Sequence, residues 1–329
     1  MPPACDHLLR FQPLFRRYLW GGRRLATMFG KPIGAGDDYA ESWEIVDHGA
    51  DQSVVATGPL AGKTLGELVR NHGESLLGKH AGCERFPLLL KLLDCQRTLS
   101  VQVHPNDLQA ALLDPPDLGK TEAWVVLAAE PGSKIYAGLK AGVDRRALAD
   151  AVAAGRCEEC LHVVEPCVGD CIFIPAGTVH ALGAGLVIAE IQQASDTTFR
   201  LFDWNRVDAA GQPRALHVAQ SLAVTDFQRG PVEPQRPQPT DDPRRERLVE
   251  CDKFILNRLS LPMCDQSVVI GGDNRFCILL VVQGSAAIYG DPSELPLTCG
   301  QSALLPAASR RVQIQPISTL EMLEIQLSI

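Results

Sequence analysis

Alternating polar and apolar positions mark residues 99–105 (LSVQVHP) as a strand with two different faces. Successive side chains of a strand point to opposite sides, so Ser100, Gln102 and His104 share one face and two valines share the other. This pattern is typical of a barrel wall that has a core on one side and a cavity on the other. For the segment taken alone, a half-exposed strand whose polar face meets water is the alternative.

Other patterns predict a buried strand and several short helices. Residues 87–93 (PLLLKLL) are almost entirely apolar, which predicts a strand covered on both faces. Apolar positions recur at helical spacing over residues 63–72 and 107–113. A surface helix is expected over residues 145–155, with Asp144 as its N-cap. The chain is therefore expected to be mostly β-structure with short helices.

One order of elements occurs twice along the chain. Residues 132–138 (GSKIYAG) and 284–290 (GSAAIYG) each follow an apolar run, and each predicts a glycine turn between two strands. Further on, residues 169–175 (GDCIFIP) correspond to residues 300–306 (GQSALLP). The repetition predicts a duplicated β-barrel unit.

The repeat and a local change in composition suggest how the chain is divided into domains. We expect a first domain over residues 1–228, with a helical insertion at about 142–161, and a degenerate second barrel over residues 248–329. Residues 229–247 are rich in proline and nearly free of apolar side chains, which predicts a linker.

Composition and charge narrow the functional classes. The net charge of -8 argues against nucleic acid as a partner, and no apolar run reaches the length of a membrane span. Residues 1–18 show no apolar segment of a signal peptide, so we expect a cytoplasmic protein. The basic cluster of Arg244, Arg245 and Arg247 is interpreted as a solvated loop. An anionic substrate would therefore need positive charge close to its own site.

Eleven cysteines raise the question of disulfides or a zinc site. Seven are scattered, as expected for small buried side chains of a cytosolic protein. Cys157, Cys160, Cys167 and Cys171 form a cluster, but Cys171 lies in an apolar segment that is predicted to be a strand. We therefore favour free thiols, and a zinc ion held by these four thiolates is the alternative.

Two histidines, one carboxylate and one amide form a candidate metal site. Glu122 stands at the head of an apolar strand, an unusual position for an unpaired carboxylate. His180 ends the pattern G-x5-P-x-G-x2-H, whose turn aims an imidazole at a defined point. With Gln102 and His104 these side chains offer nitrogen and oxygen ligands suited to zinc or its first-row neighbours. The second repeat has Arg311 at the position of His180, so we expect it to be structural.

These motifs resemble a known family. The pattern that ends at His180 is the second cupin motif, and together with SVQVHP at residues 100–105 it resembles the type I mannose-6-phosphate isomerases, especially the short bacterial form. Five further segments agree in order: residues 18–22 (YLWGG), 41–45 (ESWEI), 86–91 (FPLLLK), 119–122 (GKTE) and 190–200 (EIQQASDTTFR). The similarity spans about residues 10–227. Thr121 stands where some relatives have proline.

The resemblance implies a fold and a set of residue roles. It implies a mainly β protein of two cupin-like (jelly-roll) barrels with short helical insertions. It implies one bound divalent metal ion, with zinc expected, and the interconversion of mannose 6-phosphate and fructose 6-phosphate. The implied metal ligands are Gln102, His104, Glu122 and His180. The implied active-site and cavity residues are Arg200, Lys91, Ser100, Lys120 and Glu190.

The chemistry explains why such groups are needed, but it leaves several roles open. Moving a proton between C1 and C2 through an enediol requires a base, for which Glu190 and the histidines are candidates. Arg200 and Lys120 could stabilise the developing negative charge, and Arg200 could instead hold the phosphate. The alternative for both cations is a salt bridge to Glu190 or Asp196.

Two other functions compete with the isomerase. A different metal-dependent cupin enzyme, such as an oxygenase, would use more histidines and a hydrophobic cavity, whereas Lys91, Lys120 and Arg200 predict a cationic one. A non-catalytic sugar-phosphate-binding cupin should have lost a ligand or Arg200, and none is lost. The general base, the native metal, the range of aldose phosphates and the oligomeric state stay open.

Overall fold

Antiparallel β-structure dominates the fold. The computed structural model describes residues 4–207, 211–263 and 267–328. The strands of the first two thirds of the chain are β1 (Phe11–Gln12), β2 (Leu14–Gly22), β3 (Tyr39–Ile45), β4 (Asp47–His48), β5 (Asp51–Gln52), β6 (Val54–Val55), β7 (Leu88–Cys95), β8 (Val101–Val103), β9 (Glu122–Ala129), β10 (Ile135–Leu139), β11 (Leu161–Val164), β12 (Cys171–Ile174), β13 (His180–Leu182), β14 (Leu186–Gln193) and β15 (Phe199–Phe202).

The described residues of the last third of the chain form ten further strands, and the short helices lie mainly in the first two thirds. The strands are β16 (Gln238–Pro239), β17 (Arg245–Glu250), β18 (Ile255–Leu261), β19 (Val268–Ile270), β20 (Cys277–Gln283), β21 (Ser285–Ile288), β22 (Leu297–Thr298), β23 (Ser302–Leu305), β24 (Val312–Pro316) and β25 (Leu320–Gln326). The helices are α1 (Arg24–Phe29), α2 (Leu65–Leu77), α3 (Asp107–Ala110), α4 (Arg145–Ala153) and α5 (Val218–Val224), with a 3-10 turn at Cys157–Cys160.

The first unit is built around two large sheets with an apolar core between them, and β1-β6 and β4-β5 form two further two-stranded sheets. One sheet has the strand order β12-β9-β14-β7-β3-β2, and the other has the order β11-β10-β13-β8-β15. Ile135 and Leu182 of the second sheet pack with Leu93, Val126 and Ile172 of the first. Each sheet therefore presents one face of alternating side chains to the interior of the unit.

The second unit repeats this order of strands. Its sheets have the orders β16-β17-β18-β25-β20-β23 and β19-β24-β21-β22. The central run β12-β9-β14-β7 of the first unit recurs as β23-β20-β25-β18, which confirms the predicted duplication. Leu259, Leu279, Ile314 and Met322 fill the interior of the second unit. An interior packed with apolar side chains fits a structural role.

The larger sheets of the two units pack against each other. Leu90 and Val125 of the first unit belong to the same apolar cluster as Ile278 and Leu323 of the second. Every residue of β7 is buried, because one of its faces meets this cluster and the other meets the interior of the first unit. The prediction of a fully buried strand at residues 87–93 is confirmed.

The predicted helices are present, but with different ends. Helix α2 begins after Thr64, whose hydroxyl accepts a hydrogen bond from the backbone N–H of Glu67, and it continues to Leu77. Helix α4 begins after Asp144, as predicted, because that side chain caps the N–H of Ala147. Helix α3 ends at Ala110, before the pair of prolines at residues 115–116, which cannot continue a helix.

The interpretation of the basic cluster as a solvated loop is wrong. Arg245 lies in β17 and pairs with Glu324 at 2.7 Å and with Asp242 at 2.5 Å. Within the segment predicted to be a linker, β16 pairs with β17. The ion-pair partner on β25 is distant in sequence, so composition alone could not reveal this packing. The domain boundaries stay a prediction.

The cysteines form free thiols wherever the structure describes them. Cys157, Cys160 and Cys171 are buried and Cys167 is exposed. Cys264 lies outside the described residues. The candidate metal-binding group among the described residues contains no cysteine, and the preference for free thiols in the cluster stays a prediction. None of the described helices has the length and apolar character needed to cross a membrane.

Candidate metal centre and substrate cavity

Three predicted site residues form one row across the smaller sheet of the first unit. His180 on β13 lies opposite Gln102 on β8, which in turn lies opposite Arg200 on β15. Residues directly opposite each other in a sheet point to the same side. The valines of β8 pack on the other side against Leu148 of α4. The alternation read from residues 99–105 is therefore confirmed, with its polar face toward the interior.

A second row lies across the larger sheet. Trp124 on β9 lies opposite Glu190 on β14, Glu190 lies opposite Lys91 on β7, and Lys91 lies opposite Trp43 on β3. Glu122 precedes Trp124 by two residues and points to the same face. The two rows belong to the two sheets of one unit, so side chains that are far apart in sequence converge between them.

His104, Glu122 and His180 form a compact, buried group. Their potential ligand atoms all lie within 4.8 Å of one another, and this is the one such group of His, Cys, Asp or Glu side chains in the described part of the chain. Glu122 Oε2 lies 3.7 Å from His104 Nε2, and Glu122 Oε1 lies 3.3 Å from His180 Nε2. Gln102 Nε2 lies 3.3 Å from His180 Nε2. The structure thus brings all four implied ligands together.

The donor atoms fit a divalent cation. Nδ1 of His104 donates to the carbonyl of Thr197 at 2.9 Å, and Nδ1 of His180 donates to the carbonyl of Thr178 at 2.8 Å. In this tautomer each Nε2 presents a lone pair to the group. Glu122 Oε1 is buried without a hydrogen-bond partner. A bound metal ion would accept the two imidazole lone pairs and pair with the carboxylate oxygen that has no other partner.

Burial controls the charge of these groups. It lowers the pKa of His180 to about 3 and that of His104 well below the usual value, so both imidazoles are neutral and free to bind a metal. Burial raises the pKa of Glu122 to about 7, although nearby Lys120 opposes this shift. The Lys120 ammonium contacts Glu122 Oε2 and lies 3.1 Å from His104 Nε2.

A cavity of about 230 Å³ lies beside this group. It is lined by every implied active-site and cavity residue and by two of the implied metal ligands. The lining side chains are Tyr18, Trp20, Glu41, Lys91, Leu93, Leu99, Ser100, Gln102, Lys120, Trp124, His180, Leu182, Glu190, Asp196, Thr198, Arg200 and Arg214. A polar cavity next to a candidate metal centre has the character of a small-molecule site.

On one side of the cavity, three acidic side chains surround a lysine. Lys91 Nζ lies 3.8 Å from Glu41, 3.6 Å from Glu190 and 4.0 Å from Asp196. Burial alone would lower the pKa of Lys91, but these three carboxylates raise it above its usual value. The prediction of a cationic cavity therefore fails on this side, because the sequence did not reveal that acidic side chains surround Lys91.

Arg200 supplies positive charge on the opposite wall. Its Nη1 donates to the carbonyl of Ala215 at 2.9 Å, and its Nε is buried without a partner. Neither Arg200 nor Lys120 pairs with Glu190 or Asp196 within the described residues; Lys120 pairs with Glu122 instead. The salt-bridge alternative for these two cations is wrong. The Nε–H of Arg200 can therefore donate a hydrogen bond to a ligand.

Sequence reasoning missed two residues that shape the cavity. Trp124 donates from Nε1 to Glu190 Oε2 at 3.1 Å, and its ring meets that of His180 edge-on. Its spacing of two from Glu122 was a usable signal, since both must share a face of β9. Arg214 lies in an irregular segment, and no local pattern could have placed it in the cavity.

Comparisons with known proteins agree with this geometry. The family described as "Phosphomannose isomerase type I, catalytic domain" matches residues 8–121. The chain is 36% identical to mannose-6-phosphate isomerase ManA of Bacillus subtilis (strain 168), covering 91% of this chain and 92% of the relative. It is 41% identical to mannose-6-phosphate isomerase of Streptococcus mutans serotype c (strain ATCC 700610 / UA159), over 65% of this chain and 67% of the relative.

A solved structure supports the same assignment. The crystal structure of mannose 6-phosphate isomerase from Bacillus subtilis superposes with a TM-score of 0.87 at 30% identity, covering 97% of this chain and 99% of that one. Similarity of this extent covers both units as well as the cavity between the two rows of side chains. The chain belongs to the type I phosphomannose isomerases.

Proposed function

We propose that this protein interconverts mannose 6-phosphate and fructose 6-phosphate. The observation that carries the proposal is the buried group of His104, Glu122 and His180 beside a cavity with an unneutralised arginine on its wall. The relatives are mannose-6-phosphate isomerases, which indicates the substrate, and the cavity offers a place for it. We also propose a cytoplasmic location and no nucleic-acid partner, and the net charge of -8 argues against nucleic acid.

Gln102, His104, Glu122 and His180 would hold one divalent metal ion, with zinc the expected species. When bound, such an ion acts as a Lewis acid that stabilises negative charge on the sugar oxygens. The two backbone carbonyls that bind the histidine Nδ1 atoms fix the orientation of both rings toward this point.

Glu190 is the residue that we propose as the base. The two histidines are less suited to act as the base, because Nδ1 of each binds a carbonyl and Nε2 belongs to the ligand group. Burial would raise the pKa of Glu190, but Lys120 and Lys91 lower it below its usual value, so the carboxylate is ionised. It can accept the proton from C2 of the aldose and return it to C1, while the proton of the O2 hydroxyl passes to O1. The N–H of Trp124 fixes one oxygen of the Glu190 carboxylate.

Lys120 and Arg200 would stabilise the negative charge that develops when this proton leaves. Lys120 lies at the metal side of the cavity, and Arg200 shares a cross-strand row with Gln102. Donors that are already fixed before the reaction are effective because they need no reorganisation. Ser100 and Lys91 line the cavity and would contact the sugar hydroxyls.

Arg214 would bind the phosphate on the same wall as Arg200. Its Nε and Nη2 donate to the two carboxylate oxygens of Asp203 at 2.7 and 2.5 Å, which fixes the guanidinium at the cavity. Arg206 binds the same carboxylate. Asp203 is thus shared by two arginines, and Arg200 lies nearby as a third. One carboxylate neutralises only part of their charge, so the remaining positive charge suits a phosphate dianion.

A coupled assay tests the proposal. Fructose 6-phosphate formation from mannose 6-phosphate is followed before chelation, after chelation, and after adding back zinc, cobalt or manganese separately. We expect turnover that chelation abolishes and a metal restores. Full activity of the metal-free protein would overturn the metal's role. A holoprotein that binds the sugar phosphate without turning it over would support the non-catalytic alternative.

A further inference from the structure

Asp117 lies outside the cavity, yet it receives hydrogen bonds from several parts of the first unit. Its Oδ2 accepts from the hydroxyls of Ser195 at 2.8 Å and Thr197 at 2.9 Å. Its Oδ1 accepts from the backbone N–H of Leu118 at 2.8 Å and from Arg85 at 3.0 Å. The side chain is 11% exposed. Such a network holds one carboxylate in a single position.

The two hydroxyl donors belong to a segment that contacts the site three times. The carbonyl of Thr197 accepts the hydrogen bond from His104 Nδ1 at 2.9 Å. Asp196 lies 4.0 Å from Lys91 Nζ, and Thr198 lines the cavity. The segment 195–198 forms the irregular connection between β14 and β15, so no strand ladder fixes these residues. Besides the backbone bond from the Ser195 N–H to the Gln193 carbonyl, their positions depend on hydrogen bonds from side chains.

We propose that Asp117 is a positioning residue, which orients His104 toward the metal site and sets the edge of the cavity by holding Thr197 and Ser195. The inference rests on the proposed function only in that His104 must bind a metal ion. The path runs from the Asp117 carboxylate to the Thr197 hydroxyl, then through the carbonyl of Thr197 to the imidazole of His104.

The charge of Asp117 suits this role. Burial would raise its pKa, but hydrogen bonds from His48, Ser195, Leu118 and Thr197 hold the pKa well below its usual range. The carboxylate therefore stays ionised and accepts strong hydrogen bonds. Removing the direct hydrogen-bond partner of a metal-binding histidine changes metal affinity by about 10- to 100-fold, and Asp117 acts one bond further out, through Thr197.

Two variants separate positioning from general structural support. Thr197→Val removes the hydroxyl that binds Asp117 but keeps the shape and the carbonyl that binds His104. Asp117→Asn keeps the shape but removes the charge. Asp291→Asn is the matched control, because Asp291 is a buried carboxylate that binds an arginine, Arg10, and neither residue lines the cavity. Thr197→Ser restores the hydroxyl and serves as the conservative rescue.

The measurements are the Kd of the metal-free protein for Co²⁺ alone, the visible absorption spectrum of the Co²⁺ form, and the Tm. We expect Asp117→Asn and Thr197→Val to raise the Kd by roughly three- to tenfold, less than the loss of a direct partner of the histidine, and to alter the spectrum. Thr197→Ser and Asp291→Asn should keep the wild-type Kd and spectrum, whatever their Tm. In a protein that carries both Asp117→Asn and Thr197→Val, the fold increase in Kd should be smaller than the product of the two separate increases.

The outcomes distinguish this inference from the proposed function. A wild-type Kd and spectrum in both Asp117→Asn and Thr197→Val would overturn the inference, even if the wild-type chain is an active isomerase. Suppose instead that both variants bind Co²⁺ more weakly, and that the wild-type protein binds Co²⁺ but does not turn over mannose 6-phosphate. This result would support the inference and overturn the proposed function. A wild-type chain that binds no metal would overturn both.

Discussion

Gln102 and His180 lie directly opposite each other on β8 and β13, and their Nε2 atoms are 3.3 Å apart. Because His180 Nδ1 donates to a carbonyl, its Nε2 accepts from the Gln102 amide. Rotating that amide by half a turn exchanges its nitrogen for its oxygen without changing the shape of the side chain. The same contact can therefore present an oxygen ligand beside an imidazole nitrogen.

Replacing Gln102 with leucine should weaken metal binding. We expect Gln102→Leu to raise the Kd for Zn²⁺ by at least about tenfold, since an oxygen ligand is removed while the volume is kept. The measurement is a competition titration with a chromogenic chelator. Ser100→Ala is the control, because Ser100 lines the same cavity without joining the ligand group. Equal affinities in the two variants would show that Gln102 is no ligand.

His104→Ala and Arg200→Ala should separate metal binding from turnover. We expect His104→Ala to lose the metal, whereas Arg200→Ala should keep it and lose about 10²–10³-fold in kcat, as expected when a fixed donor to a developing oxyanion is removed. Metal content by elemental analysis and kcat by the coupled assay give the two readouts. An Arg200→Ala protein with wild-type kcat would show that Arg200 does not act on the transition state.

Arg214 and Arg206 form a matched pair for locating the phosphate. Both bind Asp203, and their side chains are 37% and 35% exposed, but only Arg214 lines the cavity. Losing a charged hydrogen bond should cost Arg214→Gln about 10- to 100-fold in KM with a smaller change in kcat. Arg206→Gln should keep KM near the wild-type value. The opposite ranking of the two KM values would place the phosphate elsewhere.

His48 should make stability depend on pH near neutrality. A hydrogen bond to Asp117 raises its pKa above the ordinary 6.5, against the opposing effect of burial. The folded state thus binds the proton more tightly than the unfolded state. The stabilisation is fully present below about pH 6.5 and is lost as the pH rises through the higher folded-state pKa.

Urea unfolding of wild-type protein and His48→Gln, measured at intervals between about pH 5.5 and 9, tests this sign. The difference in free energy of unfolding should be largest at acid pH and should shrink toward alkaline pH. A difference that grows as the pH rises would contradict the raised pKa. An NMR titration of the His48 ring gives the folded-state value directly.

The sequence by itself was sufficient for the local features of this protein. The alternation over residues 99–105 placed Gln102 and His104 on one face, because the two-residue period of a strand needs no knowledge of its neighbours. The repeated order of turns and strands predicted the duplicated unit, which the strand order confirms. The candidate ligands and their family could be recognised for the same reason, since each motif is contiguous in the chain.

Only the tertiary structure decided which distant side chains meet. It placed Lys120 against Glu122 rather than Glu190, surrounded Lys91 with carboxylates, and brought Arg214 from an irregular segment to the cavity wall. It also linked Asp117 to His104 through a connection between strands. These contacts depend on strand register and on the packing of two sheets, which arise from long-range burial and leave no period in the local sequence.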